Sequence, residues 1–76
     1  MEKAIASEEY KTLVDWLKNA RTSLDLSMRD LGDRLGVSHT YIYKIENLEY
    51  KLDVYQYVQY CKALDLDPFQ GMKFLV

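Results

Sequence analysis

The stretch Leu35–Asn47, "LGVSHTYIYKIEN", decides how this 76-residue chain is read. It has the form of a tight turn followed by a short helix. Gly36 suits the left-handed stop of a preceding helix. Ser38 suits the N-cap of the next, which runs to about Glu46 or Asn47. At a hundred degrees per residue, Ile42 and Ile45 share one face of that helix. Thr40, Tyr43, Lys44 and Asn47 face the other way, and His39 stands at its N-terminal edge. The question is whether the outer face meets base edges or only solvent.

Working outward, "SMRDLGDRLG" before the turn reads as a second short helix. Ser27 caps it, Asp30 stands at the capping-box position, and Leu31 and Leu35 point inward. Gly32 lies on the inner side, where a missing side chain lets a neighbour approach closely. Leu31, Leu35, Val37, Ile42 and Ile45 can bury one another, leaving the Ser38–Asn47 helix as a protruding rod. Two short helices joined by a tight turn make a helix-turn-helix, and a rod of that width fits the major groove of DNA.

Further out the periodicity stays helical. Ser7 opens a first helix, with Glu8 and Glu9 in its positive first turn. Tyr10, Leu13, Val14, Leu17, Arg21 and Leu24 form its inward stripe. The run from Tyr55 to Tyr60 alternates partly like a strand. Over a longer window Val54, Tyr57, Val58, Cys61 and Leu64 fall at helical spacing behind Asp53 as a cap, so a helix is expected there. Pro68 can open a last turn of helix. Phe69, Met72, Phe74, Leu75 and Val76 form an apolar tail over 69–76. The expectation is an all-α chain and a single domain over 1–76, with the motif at about 27–47.

Composition excludes several functions. The chain is 49% hydrophobic and 29% charged, the balance of a globular domain. No apolar run is long enough to cross a bilayer, and "MEKAIASEEY" lacks a signal-peptide core, so a cytoplasmic location without membrane contact is expected. One cysteine, Cys61, and one histidine, His39, cannot supply a metal set or an internal disulfide. No nucleophile–base arrangement or phosphate-cradling glycine loop can be assembled. The expectation is a non-enzyme without cofactor or metal. The net charge of −2 is unlike the basic balance common in nucleic-acid binders, but DNA responds to where the charge lies.

Together, "LSMRDLGDRLGVSHTYIYKIEN" and the later "DVYQYVQYCKALDLDPF" resemble the Cro/repressor-type, Xre-like family of helix-turn-helix proteins. The resemblance spans roughly Tyr10 to Phe69. It implies a compact five-helix bundle of the phage-repressor DNA-binding-domain type, operator binding, and a homodimer on a two-fold site. It also implies that Arg21 pairs with Glu46. Two positions depart from the family pattern. Met28 replaces a common Gln, removing a side-chain phosphate donor, and Leu48 replaces a common Gly. The loop that follows contains Glu49, Tyr50 and Lys51.

These readings converge on a small transcriptional regulator, a repressor, bound to double-stranded operator DNA. His39, Thr40, Tyr43 and Lys44 would face base edges. Ser38, Arg29, the backbone N–H of Met28, and Lys51 would hold phosphates. Phe69, Met72, Phe74 and Leu75 would form the dimer interface, with Tyr57 or Tyr60 nearby. Tyr41 and Trp16 are expected to pack. The competing reading is a protein-interaction module on the same fold, such as an antitoxin or anti-repressor with little operator affinity. Its supports are the acidic balance, Glu49, and the tyrosines at 50, 55, 57 and 60.

Overall fold

Side-chain caps start each α-helix of the computed structural model, which describes residues 7–76. The helices are α1 (Glu8–Ser23), α2 (Met28–Leu35), α3 (His39–Glu46), α4 (Val54–Ala63) and α5 (Pro68–Met72), closed by a 3-10 turn at Lys73–Leu75. Ser7, Ser38 and Asp53 each accept from a first-turn N–H. Asp67 does so for α5, with Pro68 at its first positions. At α2 the box is reciprocal: Asp30 N–H donates to Ser27 Oγ at 2.9 Å, and Ser27 N–H donates to Asp30 Oδ2 at 3.0 Å.

The helix ends share one device. The chain turns left-handed just after each of the first four helices, at Asp25, Gly36, Leu48 and Asp65. The next N–H then reaches back into the last turn, as Leu26 to Arg21 O, Val37 to Gly32 O, Glu49 to Lys44 O and Leu66 to Cys61 O. This is the Schellman arrangement, which satisfies carbonyls the helix would otherwise leave unpaired.

The core is built from the expected stripes. Tyr10, Leu13, Val14 and Leu17 of α1 meet Leu31, Ile42, Ile45, Tyr57, Tyr60, Cys61 and Leu64. Three expectations need correction. Leu24 is 44% exposed, because α1 ends at Ser23 and the chain turns away. Val54 is 81% exposed, since the first position of α4 precedes the turn that packs. Val37 is partly exposed in the turn itself. Phe74 lies against its own chain, its ring edge-on to Trp16 with centroids 5.8 Å apart. The ring is half-buried there.

Gly32 fixes the angle between α2 and α3. A methyl group there would come within 2.7 Å of Val37 O and 3.3 Å of Ser38 C, both backbone atoms of the turn. Backbone cannot give way as a flexible side chain can. Gly32→Ala is expected to cost about 1–3 kcal/mol as overpacking, read as a lowered midpoint in urea. Unchanged stability would show that the turn is loosely seated.

Candidate nucleic-acid interface

Ile42 and Ile45 are fully buried beneath α3, so its outer face is set by the core below it. Ser38, His39, Thr40 and Tyr43 are exposed on or beside that face. The first turn of α3 contains no acidic residue. Its positive end is therefore uncompensated by the chain, a favourable place for a phosphate or an electronegative base edge. Arg29 is exposed at the second position of α2, where a cation opposes the dipole. Met28 stands at the first position of α2, where a backbone N–H has no acceptor in its own helix.

Two ties hold the motif. Arg21 and Glu46 make a bidentate pair, Nε to Oε2 at 2.6 Å and Nη2 to Oε1 at 3.0 Å. The remaining arm of the guanidinium, Nη1, donates to Leu26 O at 2.7 Å. One buried side chain thus joins the end of α1, the turn before α2 and the last residue of α3. The expected pair is present. The second tie is Arg34, whose Nη1 donates to Ala63 O at 2.8 Å, joining α2 to α4.

The other anticipated residues differ in setting. Asn47 is turned back on its own helix, its Nδ2 donating to Tyr43 O at 2.8 Å. Lys44 is half-buried, its ammonium 5.0 Å from the centre of the Tyr50 ring. Lys51 is exposed, but it borders an apolar groove with Tyr10, Asp53, Val54 and Phe69 rather than joining Lys44. Tyr41 packs as expected, its ring centroid 6.0 Å from that of Tyr50. The part of Tyr50 went unread in the sequence. Its one visible mark was an aromatic residue six positions after Lys44, in a loop with no periodicity.

A helix-turn-helix family model matches residues 17–70. The chain belongs to the Xre/Cro-like helix-turn-helix family. Among solved structures it is similar to the XRE-family like protein from Pseudomonas syringae pv. tomato str. DC3000. The identity is 31%, the TM-score 0.81, and the match covers 88% of this chain and 82% of that one. No curated protein matches the chain. The Xre-like family is one of DNA-binding regulators, typically non-enzymatic, which places α2 and α3 as the DNA-binding motif of this fold. Among the described residues no helix is long and apolar enough to cross a membrane.

Proposed function

We propose that this Xre-like chain is a sequence-specific repressor of transcription that places α3 in the major groove of a cytoplasmic operator. The observation that carries the reading is the outer face of α3. It is exposed, free of carboxylates in its first turn, and held by the Arg21–Glu46 pair, with Arg29 exposed at the start of α2. His39, Thr40, Tyr43 and Lys44 read base edges. Ser38, Arg29 and the Met28 N–H hold phosphates, and Lys51 adds positive charge from the side of the motif.

The operator-bound form is a homodimer. One such domain reads only a few base pairs, and two copies on a two-fold axis place their recognition helices about 34 Å apart. The pairing face surrounds a groove of about 590 Å³ among α1, α4 and α5. Phe69 is 74% exposed beside it, and Met72, Leu75 and Val54 are exposed along it. A projecting ring next to a hollow is self-complementary across a two-fold axis. Lys51 and Asp53 on the same rim supply opposite charges for the second copy to match. That apolar face is also what favours the competing reading, a protein-interaction module, because a different protein could occupy it.

Selection from a random duplex pool tests both parts. An enriched palindrome with half-sites one helical turn apart is expected, bound by a species of dimer mass in sedimentation. Lys44→Ala is expected to lose about 1–3 kcal/mol on that duplex and to relax preference at one base pair. No enriched sequence would remove the operator reading and favour the interaction module. A monomer on a single half-site would remove the dimer alone.

A further inference from the structure

Tyr50 lies outside both helices of the motif, yet the loop returns it to α3. Leu48 adopts a left-handed conformation with φ 64°, which reverses the chain. The N–H groups of Glu49 and Tyr50 then donate to the Lys44 carbonyl at 2.8 and 3.2 Å. The reversal lays the Tyr50 ring against two side chains of α3. On one side is Tyr41, tilted 49° with centroids 6.0 Å apart. On the other is the Lys44 ammonium, 5.0 Å from the ring centre and 3.5 Å from the hydroxyl oxygen. Tyr41 is itself seated against the core, and its hydroxyl is buried. Fixation therefore passes from the core to Tyr41, from Tyr41 to Tyr50, and from Tyr50 to Lys44.

We propose that Tyr50 is a specificity-determining positioning residue, which holds the Lys44 ammonium at one place on the recognition face. This rests on the reading of α3 as the groove-entering helix. A free lysine has a long flexible stem and acts as a mobile point charge that any nearby phosphate can satisfy. A lysine held over an aromatic ring has lost much of that freedom before DNA arrives, and cation–π attraction maintains the placement. Held in this way, Lys44 discriminates at one base pair. Released, it contributes charge without discrimination.

The experiment uses the full chain and the duplex enriched by selection. It compares wild type, Tyr50→Phe, Tyr50→Leu, Lys44→Ala and the Tyr50→Leu/Lys44→Ala double variant. Tyr50 is partly exposed, so the variants are expected to fold, which circular dichroism checks. Tyr50→Leu is expected to lose about tenfold on the preferred duplex, with little loss on duplexes altered at the Lys44-dependent base pair. Tyr50→Phe keeps the ring and is expected to stay within about twofold. Adding Tyr50→Leu to Lys44→Ala is expected to change nothing further. Additive losses, or an equal loss on all duplexes with a smaller salt slope, would make Tyr50 an independent phosphate contact and overturn the proposal. Tighter binding by Tyr50→Leu would show that the ring sequesters Lys44 instead, and would also overturn it.

A second readout needs no DNA. In wild type and Tyr50→Phe the ε-methylene protons of Lys44 are expected upfield, shielded by the ring, and at ordinary positions in Tyr50→Leu. Ordinary positions in wild type would overturn the clamp itself. An upfield position together with no duplex selected by wild type would leave the packing intact and overturn the specificity role along with the DNA reading.

Discussion

Glu46→Ala is expected to destabilise the domain by about 3–5 kcal/mol. The partner left behind, Arg21, is 8% exposed, so its charge would stay largely buried with only the Leu26 carbonyl as a partner. Domains have roughly 5–15 kcal/mol of stability in total, so the loss is a large share of what holds the fold. Arg21→Ala is expected to behave similarly, because it leaves a carboxylate whose side chain is 2% exposed. Replacing both partners by apolar residues of similar volume, Arg21→Met with Glu46→Leu, is expected to restore most of the loss, since no charge then remains buried. Urea denaturation followed at the helical band measures all four proteins. A loss within about 0.5 kcal/mol for Glu46→Ala would mean that the pair is open to solvent. The double variant separates stability from function. If it folds but loses operator discrimination, the pair's main service is the angle of α3.

The second large effect is alkaline unfolding. Burial pushes the hydroxyls of Tyr10, Tyr41, Tyr57 and Tyr60 above the ordinary value of 10.0, and the Glu46 charge adds to the rise at Tyr60. Above that value the unfolded chain releases protons that the native chain retains. These four hydroxyls therefore leave stability unaffected below about pH 10 and lower it as pH rises toward each native value, while the Cys61 thiol, pushed up from 9.0 by burial, starts the decline about one pH unit earlier. Tyr60, at 1% exposure, is expected to contribute up to about 1.4 kcal/mol per pH unit over that range. Among the described residues its hydroxyl and that of Tyr41 have no hydrogen-bond partner. Tyr60→Phe should therefore be close to neutral at pH 7 and should flatten the alkaline decline. Denaturation midpoints at pH 8, 9, 10 and 11 for both proteins give the comparison. Equal slopes would show that Tyr60 ionises freely in the folded state.

Much of this fold is legible because helix starts are written in side chains. Ser7, Ser27, Ser38 and Asp53 can be picked out before any coordinates, and each accepts the hydrogen bond its type suggests. Helix ends are less visible. Gly36 announces its left-handed turn, but Asp25, Leu48 and Asp65 make the same turn without glycine. The return of Leu26 and Leu66 N–H groups to the preceding helix is a property of the fold, not of any local residue type. Periodicity identified the core stripe but not its limits. Leu24 and Val54 satisfy the spacing and lie where the helix no longer packs, or does not yet pack. The outer face of α3 was readable from the hundred-degree step alone. The Tyr50 contact was not, because it depends on a chain reversal at a residue whose type argues against it. The Trp16–Phe74 contact is illegible for a related reason: composition shows an apolar tail, and only the closing turn brings one of its rings onto Trp16.

Leu48 has a consequence for anyone selecting sturdier variants of this protein. A leucine in the left-handed region carries roughly 1–2 kcal/mol of strain, and glycine would release it. Glycine adopts that conformation freely, so the exchange keeps the chain reversal that brings Tyr50 over Lys44. It also removes a side chain packed against the core, and the lost apolar contact offsets the strain released. The melting temperature of Leu48→Gly reads the difference between those two terms at a position where the backbone of the recognition face is left as it is.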